Sequence, residues 1–348
     1  MRRKTTLFMS LLTLGLFFSG FVVFLTPLPF IYHQFKEKDV SIYEIAWPSL
    51  LIIAAVYAFG IDFFYQFSEA HPTAYYFVLP IPYLGMAKHF SHSTVMLLGI
   101  GTFVMYVALS HLVALGLSQT QKKCFSVMFF SVLGVFGACL LYGLIVVLPQ
   151  QASFLMAYQT ALDEALKTFV ETQRQSGLSM GQILAVEAVL RESLKNIFYL
   201  MPIVVLFFVS LVYYINTIVA KRFFAVYFPR LRKLKLTLFK TPFVLIWFII
   251  ALLFSLLINE LIINSTFIFY AVLNCLLGVA LVFMFQGIAV FIFILDKKNI
   301  QGFARLFVFL FMLILGEVVF LVLLTLGLVD TWFDFRHRDK TKASQKKN

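Results

Sequence analysis

Charge is scarce in this chain. Asp, Glu, Lys and Arg make up 13% of it against 61% hydrophobic residues, and mean hydropathy is +0.94. A water-soluble domain needs about twice that charge to keep its surface wet. Cysteine is rarer still: Cys124, Cys139 and Cys275 lie far apart, in or beside apolar runs, with no metal-ligand spacing. Such thiols behave as small hydrophobes. The six histidines form no metal pattern. His89 and His92 stand three apart, but zinc takes three or four ligands and no further partner is evident. A Gly-rich phosphate loop, G-x-S-x-G and H-E-x-x-H are all missing. No cofactor and no catalytic residue is therefore expected. Acid is scarcer than base, 16 against 28, for a formal charge of +12. The bases fall between and after apolar stretches, which fits loop topology and anionic lipid headgroups rather than nucleic acid.

What the chain has is a succession of apolar runs long enough to cross a hydrocarbon core of about 30 Å as helices. They are continuous rather than alternating, so helices are expected in place of a barrel. The expected spans are 7–30, 46–66, 73–88, 94–117, 122–148, 197–219, 240–262, 266–295 and 300–328. The third is short and carries Pro80 and Pro82, so the fold is an all-α polytopic bundle of eight or nine spans. The first run follows Met1-Arg2-Arg3-Lys4 and has no small-residue cleavage site, so it reads as a retained span. Four regions follow: an N-terminal bundle over 1–148, a hairpin outside the bilayer over 149–196, a C-terminal bundle over 197–330 and a basic tail over 331–348.

In the hairpin, Phe154, Tyr158, Leu162, Leu166 and Phe169 recur at helical spacing, and Ser179 with Gln182 forms a capping-box pattern. The hairpin is either a packed connector or a docking surface. Lys221, Arg222, Arg230, Arg232, Lys233, Lys235 and Lys240 mark the cytoplasmic side. Three spans later the tail should lie outside, yet its charge argues for inside. One late segment that does not fully cross would reconcile the two.

Polar groups within spans are costly and are the natural functional candidates. Glu317 sits amid Phe307 to Leu328 and is a candidate ligand carboxylate or a helix clamp. Asn274 and Gln286 share one span about 120° apart, with Gly278 and Gly287 nearby to allow close helix approach. They are candidates for a substrate pocket or for interhelical hydrogen bonds. Asn216 suits helix packing. Asp62 and Glu260 lie near span ends, within reach of water. The last apolar run closes in Gly327-Leu328-Val329-Asp330-Thr331-Trp332-Phe333-Asp334-Phe335-Arg336, where Asp330, Asp334 and Arg336 fit a helix end with a local ion pair.

Three stretches carry a family likeness: Phe198-Tyr199-Leu200-Met201-Pro202 through Asn216 and Lys221-Arg222; Asn274 through Gln286-Gly287-Ile288-Ala289-Val290; and the closing block. Over 198–338 the chain resembles the YybS-like family of bacterial predicted membrane proteins, a domain family of unknown function. That family is distantly similar to the substrate-binding membrane subunits of energy-coupling-factor vitamin transporters. The likeness implies a small-molecule ligand within the bundle and a membrane protein partner. Those subunits dock through alanines four apart on the first helix, where this chain has Gly15 and Ser19. The expected protein is a multi-pass component of the bacterial inner membrane. It binds or transports a small molecule without catalysis, or it serves as a structural or assembly factor.

Overall fold

In a computed structural model, the described residues are 2–19, 22–36, 42–60, 91–147, 151–175, 179–195, 197–228, 234–300 and 316–336, with 63, 66, 149, 231 and 304 singly. Among them there are helices and no strands. In chain order these are α1 (Arg2–Phe17), α2 (Pro27–Lys36), α3 (Tyr43–Phe59), α4 (His92–Ser118), α5 (Gln121–Val147), α6 (Gln151–Gln175), α7 (Met180–Lys195), α8 (Met201–Phe224), α9 (Val244–Ile258), α10 (Thr266–Lys297) and α11 (Glu317–Phe333). Five described helices are long and apolar enough to cross a membrane: His92–Ser118, Lys123–Val146, Met201–Phe224, Val244–Ile263 and Thr266–Lys297. Three shorter apolar helices, Thr5–Phe17, Tyr43–Phe59 and Val318–Phe333, accompany them. The expected third span, Asp62 and the histidine pair's first member fall outside the described residues.

Two expected spans are interrupted. The first ends as a helix at Phe17, passes through a 3-10 turn at Val23–Leu25 and restarts at Pro27. Proline lacks an amide hydrogen and clashes with the preceding turn, so Pro27 and Pro29 fit only the first turn of a new helix. In the last, a turn at Gly316 with φ +43°, a conformation open to glycine, directly precedes α11, which runs from Glu317 to Phe333. Glu317 is thus the first residue of a helix and not the middle of one. Elsewhere local signals set the boundaries. Ser91 accepts the Thr94 amide at the start of α4, and Ser265 accepts the Ile268 amide at the start of α10. The Ser179/Gln182 capping box forms reciprocally at the start of α7.

The chain folds as two compact units. The first comprises 1–198 and 208–232, the second 199–207 and 233–348. In the first, α2 and α3 pack on α4, α1 packs on α2 and α3, and α4 packs along α5. Its centre is a set of edge-on rings: Phe17 meets Phe103 and Tyr106, and Phe30 meets Phe103. In the second, α10 is the hub, with α9 on one side and α11 on another. Ile246, Leu252, Val279 and Phe283 form its apolar core.

Candidate functional site

In the second unit, a close helix approach gathers polar groups. A Cβ added at Gly287 would overlap the Leu323 carbonyl, and one at Gly327 would overlap the Phe283 carbonyl. The two pairings run in opposite directions along the chain, so α10 and α11 cross antiparallel with backbone against backbone, which only glycine permits. Gln286 and Asp330, both fully buried, meet beside this crossing. Gln286 Nε2 donates to Asp330 Oδ2 at 2.8 Å, and Gln286 Oε1 accepts the Thr241 amide at 2.8 Å. Arg336 Nη2 donates to the same Asp330 oxygen at 2.5 Å, while Phe335 N donates to Asp330 Oδ1. Arg336 Nη1 reaches the Thr237 and Phe239 carbonyls at 2.6 and 2.7 Å. At the rim, Lys240 pairs with Asp334 at 2.9 Å.

This network ties the basic connector before α9 to the end of α11. Asp334 ends that helix in the left-handed region, with φ 42°, and the chain turns back toward residues 237–240. The start of the basic tail therefore lies beside the basic connector.

Asn274 is spent differently. Its Oδ1 accepts the Ile203 amide at 3.0 Å in the first turn of α8, and its Nδ2 donates to the Tyr199 carbonyl at 2.6 Å and the Tyr270 carbonyl at 2.8 Å. Helix starts leave amides without partners, and here a side chain on α10 supplies one. Tyr199 and Tyr270 stack alongside. Asn274 and Gln286 lie about 18 Å apart along α10 and serve different segments, so they do not share a pocket. Below Asn274, Ile203, Val204, Phe207, Leu277, Leu281 and Phe320 line an apolar groove of about 180 Å³. Glu317 lies one turn before Phe320 on α11.

The first unit places Asn216 at the interruption of the first apolar segment. Asn216 is fully buried on α8, and its Nδ2 donates to the Phe24 carbonyl at 2.7 Å and to the Val212 carbonyl at 2.8 Å. Its Oδ1 has no hydrogen-bond partner. Tyr213, next to it, donates to the Leu112 carbonyl, and its hydroxyl fills the space where Gly116 lacks a side chain. Sequence reasoning missed Tyr213, Thr241 and Lys240 as partners, because no local pattern announces a contact made across many tens of residues. The thiol of Cys124 lies buried in this unit, and no group of three or more metal-ligating side chains occurs among the described residues.

No curated protein and no solved structure matches the chain. The family described as predicted membrane protein (DUF2232) matches residues 46–331, reaching well into the N-terminal half beyond the 198–338 likeness. Those residues take in α3 through most of α11, including Asn216, the glycine crossing and Asp330. The chain belongs to this family of YybS-like membrane proteins.

Proposed function

We propose that the protein is a small-molecule binding or transport component of the bacterial cytoplasmic membrane, without catalytic activity. The observation that carries this reading is the break between α1 and α2, with the buried amide of Asn216 on the Phe24 carbonyl of the intervening 3-10 turn. Unwound backbone at membrane depth is tolerated only where protein buries it or it lines a cavity, and transporters place their sites at such discontinuities. On this reading Asn216 takes the polar role first assigned to Asn274 and Gln286, which brace helices. Glu317 remains a candidate because it opens α11 straight after Gly316. Native mass spectrometry of the full chain from gentle detergent tests the reading. A co-purifying small molecule, with reduced occupancy in Glu317→Gln, is expected; a ligand-free protein overturns it.

A second reading, a structural or assembly factor acting through a membrane protein partner, is favoured by the α6–α7 hairpin. Met156, Leu184 and Val189 are 70%, 54% and 66% exposed there, on helices that carry Asp163 and Arg191 as an ion pair. A stoichiometric partner lost on deleting 152–194 is its expected signature, and a partner-free monomer overturns it.

A further inference from the structure

In the α6–α7 hairpin, α7 is apolar on two opposite sides. From Ile183 to Leu190 it reads Ile-Leu-Ala-Val-Glu-Ala-Val-Leu. The one polar side chain of that stretch, Glu187, pairs with Arg191 at 3.5 Å, and Arg191 also holds Asp163 of α6 at 2.9 Å. Ile183 is buried, and Glu187 and Leu190 are half-buried beside it at helical spacing, so this side faces α6. At about 100° per residue, Leu184, Ala185, Ala188 and Val189 form the opposite side, a face about 140° wide. All four are exposed. Among the described residues, α6 and α7 pack on each other and on no other helix to a comparable extent. An apolar face of this width on a helix is one that something covers.

The chain brings a bilayer to that face. Lys122 and Lys123 open α5, and Lys221 and Arg222 close α8, so the end of α5 and the start of α8 emerge on the opposite, non-basic surface. Gln151 opens α6 four residues after Val147 ends α5, and one 3-10 turn joins α7 to α8. Both ends of the hairpin are therefore held at that surface. The end of α5 presents Leu141, Leu144 and Ile145, each more than half exposed on a span, so lipid-facing surface runs up to the root of the hairpin. The face itself selects its cover. It consists of Ala, Leu and Val and lacks the Trp, Tyr and Arg that anchor protein partners. Residues 151–195 carry five acidic and four basic side chains, so attraction to anionic lipid does not supply the hold. We infer that α7 docks on the non-basic surface of the bilayer through Leu184, Ala185, Ala188 and Val189, with α6 on its water side. The inference goes beyond the binding-component reading and uses none of its residues. Set against the second reading, it gives the free face of α7 to lipid instead of protein.

Spin labels on the purified full chain in phosphatidylcholine vesicles test the inference, with Cys124, Cys139 and Cys275 replaced by alanine. Labels at Leu184→Cys and Val189→Cys should relax more with oxygen than with an aqueous nickel complex. Their depth should be about 5–10 Å inside the headgroup boundary. A label at Thr172→Cys, exposed on α6, should show the reverse preference. If Leu184→Cys and Val189→Cys respond to nickel as Thr172→Cys does, the face stands in water, open to a protein partner, and the docking is overturned. If both are shielded from oxygen and nickel alike, protein covers the face, a second copy of the chain in this preparation, and the docking is overturned again. Insertion only when phosphatidylglycerol is added would place the hold on charge and overturn it as well. The unsubstituted chain gives a separate reading that no failed variant can spoil. A phosphatidylcholine with a photoactivatable acyl chain should mark peptides from 180–190 as it marks those of α8. Marking of α8 alone overturns the inference.

Discussion

The buried side-chain amides of the two units, Gln286 and Asn216, are spent in opposite ways, while the buried Thr241 hydroxyl beside Gln286 is, like Asn216 Oδ1, without a partner. In the second, Gln286, Asp330, Arg336 and the Thr241 amide form a connected set in which each member has a partner inside the protein. In the first, Asn216 gives its two donors to backbone carbonyls and keeps an acceptor in reserve. A satisfied network rigidifies and specifies one arrangement of helices. A half-satisfied group in a buried gap is a cost that an occupant relieves. The difference separates an amide whose oxygen and nitrogen are both engaged from one whose oxygen is not.

The largest expected effect tests the holding cluster at its base. Gly287→Ala and Gly327→Ala each drive a methyl into opposing backbone, which cannot rotate away as a side chain would. Each should cost ~3 kcal/mol or more, the top of the range for overpacking, read as loss of cooperative unfolding. Gly15→Ala, Gly134→Ala and Gly143→Ala, with nothing near the added carbon, are the controls. Wild-type stability in Gly327→Ala would remove the backbone crossing that brings Gln286 to Asp330.

Next come the buried charges. Arg336→Met leaves Asp330 charged and buried, and breaking such a pair costs about 3–5 kcal/mol. Asp330→Leu combined with Arg336→Met removes both charges and should recover part of the loss. Recovery stays incomplete because Gln286 Nε2 and two backbone carbonyls of the connector lose their partners. Unfolding in denaturant, as single and double variants, measures the coupling. Additive effects would show that the pair does not act as a unit.

The contrast sharpens with one substitution in each unit. Gln286→Leu strands the Thr241 amide and an Asp330 lone pair, and should cost ~1–3 kcal/mol. Asn216→Leu strands the Phe24 and Val212 carbonyls and relieves the orphan Oδ1. Its cost should be the smaller of the two. If Asn216→Leu is the more damaging, Asn216 is a structural brace like Gln286, and its unpartnered oxygen has no separate meaning.

Much of the helical framework was legible in the sequence, because spans of twenty apolar residues admit few alternatives in lipid. Hydropathy could not show the interruptions. Residues 7–30 carry no Asp, Glu, Lys or Arg, yet α1 ends at Phe17 and a new helix starts at Pro27, where Pro27 and Pro29 lack amide hydrogens. Within the last run, Gly316 adopts a positive φ that composition does not register. Glu317, Asn274 and Gln286 stood out as polar residues in apolar surroundings, and the same signal flags a brace and a ligand group alike. Only partners separate the two roles, and those partners are distant: Thr241 lies 45 residues from Gln286, and Phe24 lies 192 from Asn216. Asp330 and Arg336 read as a helix end with a local ion pair, since they close the apolar run, and the pair forms. Their burial depends on a connector that folds back from another part of the chain.

The smallest effect expected belongs to the rim. Lys240 and Asp334 make a 2.9 Å pair with side chains 44% and 30% exposed. Pairs of this kind gain little over hydration and are typically worth ~0–1 kcal/mol. Lys240→Gln should therefore leave stability within that range, and salt should erase whatever difference remains. Arg336→Met, set against the same salt series, should keep its full cost, because its partner is shielded from solvent. Two variants a few ångströms apart would then differ in magnitude and in salt response. If both faded equally with salt, the Asp330–Arg336 pair would be solvent-accessible in the working protein, and the holding cluster would be a surface feature like its neighbour.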